Sequence, residues 1–172
     1  MGLDMYAYTI NKNLVDGLPE TNLSLRDITW TACGYKDEPI SEEKVAQMTQ
    51  EDWEAHYAKQ ASINAIVKAA CGFDDAFAYW RKFNALHGWM HRLYESKGGE
   101  GEFNCDTVRL NPEDIDELEK AAMEKSLSPV PGFFFGSQEE FNDEDREEVL
   151  NFCSKCRSAF SEGKAVFYNS WW

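Results

Sequence analysis

The residues best suited to chemistry gather in one stretch, Asp74 to Tyr94, DDAFAYWRKFNALHGWMHRLY. Beside Trp80, the side chains of Arg81, Lys82, Asn84 and His87 offer donors that grip a carboxylate or phosphate, with Asp4 as an ion partner for the arginine. The same groups serve as well to fasten a helix to a sheet, and that structural reading stands beside the ligand-binding one. His87 and His91 are four apart, the spacing that lets two imidazoles on one helix reach one metal ion. Between them lies Gly88-Trp89-Met90, without the glutamate base of a zinc-protease helix. A third ligand is not marked, since His56 or Cys105 would serve only if the fold carried one of them there. Spacing alone defines no site, so neither metal nor cofactor is expected.

Cys153-Ser154-Lys155-Cys156 is a CxxC pair late in an expected helix, where the helix dipole disfavours a thiolate. Core packing accounts for it better than redox chemistry. Nucleotide-binding, phosphate-loop and nucleophile-elbow patterns are missing, so the chain lacks the commonest signs of an enzyme.

Charge is the strongest global feature. The 172 residues carry a net charge of -14, which opposes binding to a nucleic-acid backbone or an anionic membrane and favours a basic or neutral partner. Glu113 to Glu148 contains 13 acidic residues against Lys120, Lys125 and Arg146, so it holds ten of those 14 charges. Candidate contact residues are Glu113, Asp114, Glu117, Glu144, Asp145, Glu147 and Glu148. Two readings remain for them: solvated helix faces with acidic first turns, or a negative surface that imitates nucleic acid and docks onto a basic groove. The chain shows no membrane-span run and no signal-peptide pattern, and its five cysteines suit a reducing compartment, so a cytosolic protein is expected. Oligomeric state has no sequence signal.

The elements that must position these residues follow from periodicity. Gly2 to Ile10 alternates as a strand does, 11–40 reads as a long surface loop with a short strand at Ile28 to Ala32, and Ser41 opens a short helix. Thr49 and Asp52 cap a helix over Gln50 to Ala70, ended by Gly72. A second long helix, capped by Asp74 or Asp75, runs through Tyr94 and puts Trp80, Asn84, His87 and His91 on one stripe. Its apolar neighbours Tyr79, Phe83, Leu86, Met90 and Leu93 face the core. The two helices form a hairpin. Further along, Asp106 to Leu110 is a strand, Asn111-Pro112 opens a helix to about Lys125, and Phe133 to Phe135 form a short buried strand. Ser137 with Glu140 then caps a helix to about Ser161, and Lys164 to Trp172 is a terminal strand. The expected fold is a single α+β domain over 1–172, a central helical hairpin and acidic helices packed on a small sheet that contains both terminal strands, paired with each other.

MGLDMYAY at the start, YWRKFNALHGW in the middle, GFFFGS later and a terminal aromatic strand ending in Ser-Trp resemble a family of small phage and prophage proteins, some of them labelled phosphoglycerate kinase. Arg81, Lys82, Asn84, His87 and Trp89 match its central Trp-Arg-Lys-x-Asn-x-x-His-x-Trp pattern. The chain departs from that pattern at Phe83 and in its long 11–40 segment. A phosphoglycerate kinase is a two-domain enzyme more than twice this length with glycine-rich nucleotide loops, and that label does not fit this chain. The resemblance implies phage origin and action inside an infected or lysogenic bacterium.

Two functions are therefore expected to compete. One is a non-enzymatic protein whose acidic helices engage a basic surface of a host or defence protein. The other is a small enzyme or ligand-binding protein that holds an anionic metabolite with Arg81, Lys82, Asn84 and His87. The missing catalytic patterns lean toward the first.

Overall fold

Strand-forming alternation at the N-terminus builds the centre of the fold. In the computed structural model, which describes residues 2–35, 40–130, 132, 133, 135 and 140–172, β1 (Asp4–Asn11) has neighbours on both sides. It pairs antiparallel with β4 (Lys164–Trp171) from Asp4↔Trp171 to Asn11↔Lys164, as expected of the two terminal strands. On its other side lies β2 (Asp74–Arg81), and β3 (Thr107–Leu110) flanks β4, giving the order β2-β1-β4-β3. The fold is α+β, a mixed architecture with helices on both faces of this antiparallel sheet.

Alternation along each strand divides the core in two. Met5, Ala7, Val166 and Tyr168 face α4 (Asn84–Ser96), α5 (Pro112–Met123) and α6 (Asp143–Ser161), which contribute Leu86, Met90, Ile115, Leu118, Val149 and Phe152. On the other face Ile10, Ala165 and Phe167 pack with Ile28 and Trp30 of α1 (Leu25–Ala32), Val67 in the last turn of α3 (Gln50–Ala70) and Cys71 just after it. The short helix α2 (Glu42–Val45) precedes α3. The Thr49–Asp52 box starts α3 at the expected residue, with both reciprocal bonds formed.

The expected helix over Asp74 to Tyr94 is corrected, and with it the helical hairpin. Asp74 and Asp75 open a strand; the chain turns at Lys82, where φ is 59°, and only then does α4 begin. A right-handed helix cannot run through that left-handed residue. Phe77, Tyr79 and Trp80 favour extended backbone, and pairing with β1 supplies the partner that periodicity cannot foresee. Ile28 to Ala32 is helical because Ser24 and Asp27 form a capping box that outweighs the β-preference of Ile28, Thr29 and Trp30.

Asn142 and Asp145 cap α6. The expected Ser137 cap lies outside the described residues, as do Phe134 and Gly136 of the expected strand near 134; Phe133 and Phe135 themselves are turn residues, and Phe133 is exposed. Cys153 and Cys156 are buried as expected, and burial pushes the Cys153 thiol up to about 12, so both pack as inert thiols. Cys105, in contrast, is exposed.

A short 3-10 helix, Lys12–Leu14, follows β1, and the loop between it and α1 is held down. Arg109 donates to Val15 O and Asp16 Oδ1, and Asn111 donates to Glu20. Backbone bonds Thr107 N to Leu23 O and Arg109 N to Glu20 O, with the Ser24–Asp106 bridge, cover the outer edge of β3. Among the described residues no strand pairs with the outer edge of β2.

Candidate functional site

The turn at Lys82 scatters the residues that a continuous helix would align. Trp80 points inward from β2 and packs edge-on against Phe152 of α6, with ring centres 4.8 Å apart. Its strand neighbours Tyr79 and Arg81 point to the opposite face, as strand alternation requires, and Tyr79 is 54% exposed. There the Tyr79 hydroxyl donates to Asp4 Oδ1 at 2.7 Å, and Arg81 Nε approaches the same oxygen at 3.9 Å. Asp4 is thus the ion partner foreseen for Arg81, reached across the β1–β2 pair.

Asn84 and His87 sit inside the fold while Arg81 and Lys82 are exposed. The four are therefore not brought around one ligand. His87 is enclosed by aromatic rings: Phe103 lies parallel to the imidazole at 5.9 Å, and Phe135 and Trp172 meet it edge-on at 5.0 and 5.1 Å. Nδ1 is 3.0 Å from the Tyr168 hydroxyl, and Nε2 has no hydrogen-bond partner among the described residues. Burial, with a smaller contribution from His91, lowers the imidazole pKa to about 4, so the ring is neutral at pH 7. His91 is partly exposed, with Nε2 3.8 Å from Glu95. Among the described residues no group of three or more His, Cys, Asp or Glu is arranged to hold a metal.

The acidic residues separate into two kinds. Several are structural: Asp114 caps α5 through the Asn111 amide and binds Lys97, Asp145 caps α6, and Asp116 and Glu119 grip Arg157 across the α5–α6 hairpin at 2.7 to 2.9 Å. Asp143 pairs with Lys125 and Arg146, which keeps its carboxyl below the usual range. Glu144, Glu147 and Glu148 are exposed and make no ion pair among the described residues. Glu113 and Glu117 are also exposed, on the outer side of α5. Partial loss of hydration in the groove, and then the negative charge of Asp145, raises the Glu148 carboxyl, with a hydrogen bond from Trp80 opposing.

Glu144, Glu147 and Glu148 line a groove of about 360 Å³ between α6 and Ala78, Tyr79 and Trp80 of β2. Sequence reasoning named these acids and missed their neighbour, because it placed β2 in a helix. It also missed Phe103, Tyr168 and Trp172 as the surroundings of His87; only tertiary packing joins positions so distant in the chain. No family model, curated protein or solved structure matches this chain. Among the described residues no helix is long and apolar enough to cross a membrane.

Proposed function

We propose that this chain is a phage- or prophage-borne acidic protein that acts by binding, in the cytoplasm of an infected or lysogenic bacterium, a basic surface of a host or defence protein that otherwise holds nucleic acid. The observation that carries the reading is the contrast within the acidic hairpin. Asp114, Asp116, Glu119 and Asp143 are each neutralised by a lysine or arginine of the same fold, whereas Glu144, Glu147 and Glu148 stand together on α6 with no such partner among the described residues. Like charges crowded on one helix destabilise it, and a cationic partner relieves that repulsion while steering association. The resemblance to phage proteins supports the biological setting, and the charge balance argues against direct contact with nucleic acid.

Replacing Glu144, Glu147 and Glu148 together with lysine tests the reading and spares Asp145, whose carboxylate caps the helix. The variant is expected to unfold in urea near the wild-type midpoint and to lose the proteins that wild type captures from a bacterial lysate at low salt. Equal capture by both proteins would remove the proposal.

A further inference from the structure

From the open edge of β2 and the groove beside it, we infer that the partner enters as an extended basic segment that adds a strand to this sheet. The inference rests on the binding function proposed above and specifies how the contact is made.

The two edges of the sheet are treated differently. Residues 20–24 cover β3 with two backbone bonds and a bridge, while among the described residues β2 pairs with β1 alone. The phase of the β1–β2 ladder says which groups β2 leaves free. Lys82 N donates to Leu3 O at 2.8 Å, and directly opposed residues of an antiparallel pair alternate between bonded and non-bonded. Met5–Trp80 and Ala7–Ala78 are then the bonded pairs, so the N–H and C=O of Tyr79 and Arg81 point away from β1. The register shift between Ala7 and Thr9 confines this regular edge to Ala78–Arg81.

The groove runs on past that edge. A second cavity of about 530 Å³ shares Lys155 with the first and continues along Asp74, Phe77 and Ser158 to Glu162. From Glu144 to Ser161 α6 rises about 26 Å, the length of about eight extended residues. An added strand would alternate its side chains between α6 and the Tyr79 face. On the α6 side it meets Glu144, Glu147 and Glu148 first, and the lining as a whole has five carboxylates against Lys155 and Lys164. Lysine or arginine at alternate positions matches that wall, and backbone pairing supplies the rest of the affinity. A second copy of this chain is the wrong occupant, because pairing two β2 edges would set one acidic wall beside another.

The probe is a capped eight-residue peptide of alternating lysine and valine, titrated into the full-length protein at low salt, alongside the same peptide N-methylated at alternate residues so that one edge cannot donate. The expected result is binding of the first peptide with slowed amide exchange at Tyr79 and Arg81, at least about tenfold weaker binding of the methylated one, and loss of both with the triple lysine variant. Equal binding of both peptides, abolished by the triple variant, would overturn strand addition and leave the charge reading intact. No binding of either peptide would also overturn strand addition, and capture from lysate then judges the charge reading separately. Protection of Tyr79 and Arg81 that grows with protein concentration alone would overturn the proposal by making a second copy the occupant.

Discussion

The Tyr168 hydroxyl meets Nδ1 of His87 at 3.0 Å, and through this contact the last strand and α4 share one buried polar bond. An imidazole so enclosed resists protonation. Its pKa falls from the ordinary 6.5 to about 4, so between those values the unfolded chain binds a proton that the folded chain refuses. Stability should be full above about pH 6.5 and fall as the pH drops toward 4, by about 3 kcal/mol at the limit. Urea unfolding at several pH values, for wild type and for a His87→Gln variant, checks this. The variant should lose much of the slope over that range; an unchanged slope would show that other groups carry it.

Trp80 tests the β2–α6 contact. Its indole is buried against Phe152, and truncation to alanine should cost about 3 to 5 kcal/mol, as removal of a core aromatic does. Trp80→Phe should retain more of the stability. A Trp80→Ala variant as stable as wild type in urea would mean that the indole does not hold the strand to the helix.

How far the sequence led depends on which signals were local. Thr49 and Asp52 lie within one turn of the helix they start, so α3 was legible to the residue; the start of α5 was legible from Asn111-Pro112, and both terminal strands were legible from their alternation, with ends that differ by one or two residues. Trp80, Asn84 and His87 misled because their spacing of four and three fits a helix, while the evidence against one, a partner strand 70 residues earlier, is not local. The true start of α4 carries no cap to read, since Phe83 makes no side-chain capping bond. That the 113–148 segment concentrates the negative charge was legible from composition alone. Which of them the fold neutralises depends on Arg157 and Lys97 arriving from other elements, and no pattern in the chain announces that.

Lys82 supplies a backbone test of the strand-to-helix turn. With φ at 59° it sits where a β-branched residue is most strained and glycine is not strained at all. Lys82→Val should destabilise by about 1 to 2 kcal/mol, and Lys82→Gly should be near neutral because relief of strain offsets the added freedom of the unfolded chain. Were valine tolerated as well as glycine, measured by urea midpoints at constant slope, the left-handed turn would be wrong and the continuous helix would regain support.

The start of α6 decides where the acidic wall stands, and Asn142 fixes that start. Its side-chain oxygen accepts from the amides of Glu144 and Asp145 at 2.8 and 3.0 Å, and the Asp145 carboxylate accepts in return from the Asn142 amide at 3.0 Å. Those amides have no helical acceptor of their own, so Asn142→Ala leaves them to water and should cost about 1 kcal/mol. Asn142→Ser, which can accept in the same place, should recover most of that loss. Val149, Phe152, Cys153 and Cys156 remain buried in either variant, so the helix should persist with a lower urea midpoint and an unchanged slope. If Asn142→Ala unfolds at the wild-type midpoint while Ser137→Ala lowers it, the helix begins earlier than Asp143. The wall of Glu144, Glu147 and Glu148 would then follow a preceding turn of helix, and the groove they form with β2 would have to be redrawn.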